Sequence, residues 1–296
     1  MDTARYVIRD TASHIMNPRR ALPKTVWVLG FGSMFMDISS ELVHSLLPIF
    51  MATVLGASMV TIGLIEGIAE ASAAITKVFS GAISDYFRKR KLFLVLGYGL
   101  SAISKPIFPL ATTIWWVFAG RFIDRIGKGI RVAPRDALVA DVTPRTLRGA
   151  AYGLRQALDT VGAFIGPLLA VLLMLWLADD IASVLWIAVI PAAITVVLLT
   201  LAVQEPESLR HAAAADRTLT LKDVGQLSSR YWLVVAFGAV FTLARFSEAF
   251  LILRAEDIGI AITYAPAIMV IMNIVYALFA YPAGVMADHF SARTLL

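Results

Sequence analysis

The run TVWVLGFGSMFMDISSELVHSLLPIF, residues 25–50, decides the class of this fold. It is long enough to cross a bilayer as a helix, because about 20 mostly apolar residues suffice. Asp37 lies ~18 Å into it, near the middle of the membrane, and Glu41 follows one turn later on the same face. Such acids are too costly to face lipid. The run therefore predicts a helix that turns one charged face toward a polar interior.

Seven more segments share this length and apolar character, and composition agrees with a membrane protein. The chain is 59% hydrophobic and 16% charged, whereas soluble domains are about 25% charged. No segment shows the alternation of barrel strands. We therefore expect an all-α membrane protein whose further spans are Met59–Ile83, Leu92–Leu110, Ile114–Pro134, Ala150–Leu177, Ile181–Val203, Tyr231–Leu253 and Tyr264–Ala287.

The net charge of +5 is divided into short clusters between the apolar segments. That distribution indicates membrane topology rather than nucleic-acid binding. Loop lysines and arginines fall on one side of the predicted spans, and only Arg254 lies on the other. By the positive-inside rule, we expect a multi-pass protein of the cell membrane, or inner membrane, with a cytoplasmic N-terminus.

This topology divides the chain into four parts. We expect a cytoplasmic arm over 1–24, a six-helix bundle over 25–203, a cytoplasmic linker over 204–230 and two helices over 231–296. Within the linker, Thr220 to Asp223 resembles a capping box. A short interfacial helix and a solvated linker are both compatible with it.

A short pattern occurs twice, each time at the cytoplasmic end of an even-numbered span. The first copy is Gly81-x-x-x-Asp85 followed by Arg90. The second copy has the same spacing in Gly284, Asp288 and Arg293. Parallel repeats of this kind are typical of one class of secondary transporter.

These motifs resemble those of the major facilitator superfamily over about residues 25 to 296. Gly81, Asp85 and Arg90 match its loop signature, although Arg88 stands where a second glycine is usual. The fourth and fifth spans resemble its fourth-helix and antiporter motifs. Those resemblances rest on Arg121, Gly127, Gly129 and Pro134, and on Gly153, Gly162, Gly166 and Pro167.

The resemblance implies a twelve-helix transporter, of which this chain would hold the six-helix N-terminal half plus the first two helices of the C-terminal half. We therefore expect a chain truncated after the eighth helix. The resemblance also implies a conformational latch formed by Gly81, Asp85, Arg90, Arg131, Arg135, Gly284, Asp288 and Arg293, with Arg131 or Arg135 paired to Asp85. The alternative for both arginines is that they snorkel to the interface.

Acids and bases recur near the middle of four spans. A coupled transporter needs such groups, because a carboxylate can take a proton on one side and release it on the other. The candidate transport and coupling residues are Asp37, Glu41, Glu70, Arg121, Asp124, Arg125 and Asp159. Structural ion pairs are the alternative, for example between Glu70 and an arginine of span four. His44 is expected to be a plain interfacial residue, and Lys105 to snorkel outward or to function.

The glycines of span five predict close helix packing at Gly153, Gly162 and Gly166, and Pro167 predicts a bend. The chain has no H-E-x-x-H motif and no nucleotide-binding loop. We therefore expect no enzyme, cofactor or metal site.

Three functions remain open. The first is proton-coupled export of a small organic solute. The second is an uptake carrier for an anionic solute, which Arg121, Arg125 and Arg155 favour. The third is a non-transporting membrane fragment. The expected partners are a small-molecule substrate, protons and the lipid bilayer, without nucleic acid.

Overall fold

The structure is a computed structural model that describes residues 22–205, 228–243 and 247–289. Those residues form helices and no strand, which confirms the all-α class. The helices are α1 Lys24–Ile49, α2 Met59–Phe87, α3 Arg90–Ser104, α4 Ile114–Val142, α5 Arg148–Trp176, α6 Ile181–Ile187, α7 Val189–Ala202, α8 Ser229–Leu243, α9 Ala249–Asp257 and α10 Ala267–His289.

The helices follow the predicted spans with two interruptions. Ala188 separates α6 from α7 within span six. The predicted single helix of span seven is wrong, because Ser247 and Glu248 are not helical and α9 begins only at Ala249. Within the described ranges, four stretches are long and apolar enough to cross a membrane, namely Lys24–Val54, Met59–Phe87, Arg145–Trp176 and Ile181–Ala202. The fourth helix, α4, is 29 residues long but rich in charge.

Local sequence sets the ends of α2. Its N-cap residue Ser58 accepts a hydrogen bond from the backbone N–H of Thr61 at 3.2 Å, which satisfies one free donor of the first turn. At its other end Arg88 adopts a left-handed conformation with φ of 53°. Arg88 thus makes the turn for which a glycine is the usual residue.

The bundle is built around α1 and α4. The first of these packs against α5 and α7, while α4 packs against α2 and α3. After the linker, α9 contacts α1 and α10 contacts α5. One apolar cluster joins these helices at the end of α1 near Phe50, and a second lies at the end near Val26. The polar residues of all these helices therefore meet between two apolar layers.

Two glycines allow α5 to approach α1 closely, as predicted. A Cβ atom at Gly162 would lie 2.6 Å from the carbonyl oxygen of Met34, and one at Gly166 would lie 2.8 Å from that of Ile38. The packing prediction is wrong for Gly153, because a Cβ atom there would meet nothing within 4 Å. This first glycine of the motif faces open space and contributes no helix contact. Pro167 lies buried inside α5, and the bend there stays a prediction.

Candidate functional site

A cavity with two adjoining lobes occupies the polar centre of the bundle. The larger lobe has a volume of about 620 Å³ and the smaller about 270 Å³. Glu41 and Lys128 line both lobes. Binding sites for small molecules commonly span about 300–1,000 Å³, so this central cavity has room for a small solute.

Two arginines of α4 form one wall of the larger lobe and are paired with acids of α2. Arg121 donates to both carboxylate oxygens of Glu66, with an Nε to Oε1 distance of 2.9 Å. Arg125 Nη1 lies 3.1 Å from Glu70 Oε1. Glu70 is therefore an ion-pair partner of an arginine in span four, which was the alternative to a role in proton transfer.

His44 stands between these two guanidinium groups. Arg121 and Arg125 both approach its Nε2 atom, and since a guanidinium group can only donate, that ring nitrogen must accept. The expectation of a plain interfacial residue is wrong, because His44 lines the larger lobe. The signal was present in the sequence, since His44 follows Glu41 by one helical turn on the charged face of α1.

Asp124 lies outside the cavity and is held by Lys105. Lys105 Nζ is 3.0 Å from both Asp124 Oδ1 and Ser40 Oγ, and the Lys105 side chain is fully buried. Asp124 lines neither lobe. The prediction that Asp124 shares the transport site is therefore not supported by its position, and the expected outward snorkelling of Lys105 is wrong.

Asp159 lies at the wall of the smaller lobe between two arginines. Its Oδ2 atom is 3.0 Å from Arg155 Nη1 and 3.6 Å from Arg135 Nη1. Asp136 adds a second acid, 3.3 Å from Arg135 and 3.7 Å from Arg155. These four side chains form a compact network in which Asp136 and Asp159 neutralise the charge of Arg155.

The predicted latch contact between Asp85 and Arg131 or Arg135 is wrong. Asp85 pairs instead with Arg90 at 2.5 Å, and Arg90 also reaches Asp141 at 2.8 Å. The reason is geometric, because Arg90 begins the next helix beside Asp85. The two arginines of α4 instead contact groups in the interior of the bundle. Arg131 donates to Ser101 at 2.6 Å and lies over the Tyr98 ring.

The remaining latch residues lie at the edges of the described structure. Gly81 is in α2, where an added Cβ atom would lie 3.3 Å from that of Ala133. Gly284 and Asp288 fall within α10. Arg293 lies outside the described residues, so the repeat of the latch stays a prediction.

Three charged groups of the cavity have no close partner of opposite charge. Among the described residues, Asp37 and Lys128 form no hydrogen bond or ion pair, and the only such contact of Glu41 is with His44 Nδ1 at 3.8 Å. Asp37 lines the smaller lobe, and Lys128 is exposed to both. Lys128 was not among the predicted site residues, although it follows Arg125 by three positions in the charged span.

Sequence comparisons relate the chain to transporters. The profile of the Major Facilitator Superfamily matches residues 29–296. An uncharacterized MFS-type transporter of Methanocaldococcus jannaschii is 35% identical over 286 residues, which cover 94% of this chain and 69% of the relative. Multidrug resistance protein MdtH of Proteus mirabilis is 29% identical over 160 residues, covering 54% and 37% of the two chains.

Solved structures show the same fold. A bacterial homolog of the human lysosomal transporter Spinster matches with a TM-score of 0.67 at 17% identity, covering 91% of this chain and 63% of its own. A D-xylose-proton symporter matches with a TM-score of 0.61 at 17% identity, covering 90% and 69%. With the motifs, the helical bundle and the profile in agreement, the chain belongs to the Major Facilitator Superfamily, a family of membrane transporters and not of enzymes.

Proposed function

We propose that this protein is a proton-coupled secondary transporter of a small organic solute, and that Asp37 and Glu41 carry the coupling proton. The observation behind this proposal is that both acids line the central cavity without a cationic partner among the residues that the structure describes, the one contact of Glu41 being with the His44 ring at 3.8 Å. The other acids of the α1–α5 centre each have one. Those paired acids are Glu66, Glu70, Asp124, Asp136 and Asp159.

An unpaired acid suits proton coupling because it can gain or lose a proton without breaking an ion pair. While the cavity is open, water solvates the carboxylate. When the cavity closes around a charged and unpaired group, the free-energy cost of burial rises steeply. Protonation or substrate binding removes that cost, which ties the conformational change to the occupancy of Asp37 and Glu41.

The proposed conformation has its closed end near Phe50. There α9 and α10 complete an apolar cluster with α1, and Thr263 Oγ1 donates to Asp179 Oδ1 at 2.6 Å. With the N-terminus cytoplasmic in the cell membrane, as the loop charges favour, the cavity would open toward the cytoplasm. Alternating access would separate these contacts.

Export is the first candidate for the direction of transport. Its support is the likeness of the Gly-Pro pattern in α5 to the antiporter motif, together with relatives named multidrug resistance proteins. Uptake of an anion is the second candidate, and the free ammonium group of Lys128 favours it. Arg121 and Arg155, which first suggested an anion, are occupied by Glu66 and Asp159.

Flux in proteoliposomes tests the proposal. The full chain is reconstituted with a pH-sensitive dye inside, and ethidium or benzoate is added as a probe. We expect a probe gradient to move protons and Asp37→Asn or Glu41→Gln to abolish that movement. Asp257→Asn, on an exposed helix end away from the cavity, should behave as wild type. Probe flux that does not depend on the pH gradient and is unchanged in Asp37→Asn and Glu41→Gln would contradict the proposal.

A further inference from the structure

We propose that the central cavity binds a small organic monoanion and a proton together, with the ammonium group of Lys128 holding the anionic group. The proposal rests on the proton-coupled function above and adds the chemical class of the substrate. It assigns to Lys128 a role in binding substrate, and it favours uptake together with a proton over exchange against one.

The charges that α1–α5 place around the cavity balance when both unpaired acids are ionised. These charges are the ionisable groups of α1–α5, with the turn after α3, that line a lobe or join a lining group through ion pairs. Glu248, which precedes α9 and also lines the larger lobe, lies outside this set and has an interaction of its own. The basic groups are Lys105, Arg121, Arg125, Lys128, Arg131, Arg135 and Arg155. The acids are Asp37, Glu41, Glu66, Glu70, Asp124, Asp136 and Asp159. His44 accepts from two arginines and so adds no charge.

This balance makes a proton and an anion help each other to bind. A proton alone on Asp37 or Glu41 leaves the cluster with one excess positive charge, and an anion alone leaves one excess negative charge. Both states are penalised where the surroundings are of low dielectric constant. The two together restore neutrality, so each must raise the affinity for the other by the same factor.

The choice of Lys128 follows from what the other bases already contact. Four of the arginines have carboxylate partners, and Arg131 is held by Ser101 and the Tyr98 ring. Lys105 is fully buried against Asp124. Several arginines also line a lobe, but Lys128 is the one counted base whose side chain is exposed, and it lines both lobes.

The groups that face the two unpaired acids place the proton close to the anion. Asp37 faces Asp159 of α5 and Arg131, Lys128 and Arg135 of α4. Around Glu41 are Lys128 and Arg125 of α4, with Asp37 and His44 on its own helix and Glu248 before α9. Lys128 is the cation common to both acids. An anion that binds the Lys128 ammonium group would weaken the electrostatic stabilisation that this group gives to the ionised Asp37 and Glu41. Protonation of one of these acids would offset that loss.

The walls of the larger lobe predict the rest of the substrate. An apolar surface in this lobe is formed by Pro48, Phe250, Ile252 and Met269. The apolar part of a substrate whose anionic group binds Lys128 could contact this surface. Polar uncharged groups line the smaller lobe, among them Gln156, Thr160 and Asn273. A carboxylate on a compact apolar ring therefore fits this cavity better than a highly hydroxylated solute.

Binding measurements on three probes of one shape test the proposal. Benzoate, the neutral benzamide and the cationic benzylamine are titrated into the full chain in nanodiscs, in weak buffer with a pH indicator. We expect benzoate alone to bind saturably, with uptake of about one proton and with affinity that rises as pH falls. Lys128→Gln should weaken benzoate by about 10-fold or more, whereas Lys128→Arg should retain it.

A double variant separates this inference from the proposed function. Asp37→Asn with Glu41→Gln should still bind benzoate, but without proton uptake, because the cluster already carries excess positive charge. Preferential binding of benzylamine with proton release would overturn the inference and leave proton coupling intact. Unchanged proton uptake in the double variant would refute the coupling role of Asp37 and Glu41. A loss of benzoate affinity in Lys128→Gln would still support the anion site at Lys128. Benzoate affinity equal in wild type and Lys128→Gln, or no saturable benzoate binding, would overturn the inference.

Discussion

Lys105 and Asp37 are both charged side chains at the centre of a helical bundle, yet their surroundings differ in kind. Lys105 is completely enclosed and touches Asp124 and Ser40. Asp37 borders a cavity and touches no group of opposite charge in the described structure. The contrast teaches that a charge in a membrane helix is not by itself a functional signal. Its pairing and its access to water separate a structural role from a role in transport.

Breaking the enclosed pair should have the largest effect on stability. Lys105→Met removes the closer cation of the buried Asp124 carboxylate and leaves only Arg125, whose Nε atom is 3.9 Å away. Losing one partner of a buried ion pair typically costs about 3–5 kcal/mol. We expect a large loss of folded protein, measured as thermal unfolding in detergent. Adding Asp124→Leu to Lys105→Met should restore most of the stability, because an apolar pair of similar volume carries no desolvation cost. A single variant as stable as wild type would contradict the structural role.

Crowding the contact between α1 and α5 should come next. Gly166→Val places atoms against Glu41 Cβ and the Ile38 carbonyl, both of which lie 2.8 Å from an added Cβ. Overpacking of this kind costs about 1–3 kcal/mol. The matched substitution Gly153→Val points into open space and should cost less than Gly166→Val in the same thermal assay. Equal losses from the two variants would show that helix approach is not the cause.

The exposed network at the end of α2 should contribute less. Arg90→Gln removes the cation that joins Asp85 to Asp141, and the Asp85 side chain is 66% exposed. Ion pairs in such surroundings contribute about 0–1 kcal/mol. We expect a small shift of the unfolding temperature that shrinks further in high salt. A loss as large as that of Lys105→Met would erase the distinction between enclosed and exposed pairs.

Neutralising the unpaired acids should change stability least. Asp37→Asn and Glu41→Gln remove charges that no partner compensates directly, so we expect unfolding free energies within about 0.5 kcal/mol of wild type. Proton coupling should nevertheless be lost in both. A destabilisation comparable to that of Lys105→Met would show that these acids are structural. The thermal assay on purified variants makes this comparison directly.

The helical class and the charged face of α1 were predictable from the sequence, because helical spacing alone puts Asp37 and Glu41 on one side. Depth along a helix was also predictable from the rise per residue. How each helix turns about its own axis was not, because that depends on packing with neighbours. Asp124 and Lys128 are one turn apart on the same span, and only the structure shows that one meets Lys105 while the other meets the cavity.

Which charged residues form ion pairs with each other could not be predicted from the sequence either. The sequence allowed Asp85 to pair with an arginine of α4, but Arg90 is closer once α2 ends in a left-handed turn. The glycine pattern of α5 predicted close packing where α1 does run alongside it, at Gly162 and Gly166. It failed at Gly153, which lies nine residues before Gly162 and therefore on the opposite face of α5, toward open space. Spacing predicts which residues share a face, and the packing of the neighbouring helices decides which face is used.

Water access at Glu41 tests the distinction between the two kinds of charge most directly. The chain has no cysteine, so single cysteines can be placed without background and treated with a hydrophilic methanethiosulfonate reagent. We predict that Glu41→Cys reacts readily and that Ser104→Cys, beside Lys105 and completely buried, stays protected until the protein unfolds. Protection of the cysteine at position 41, or equal reaction at both positions, would contradict a solvated cavity around the unpaired acids.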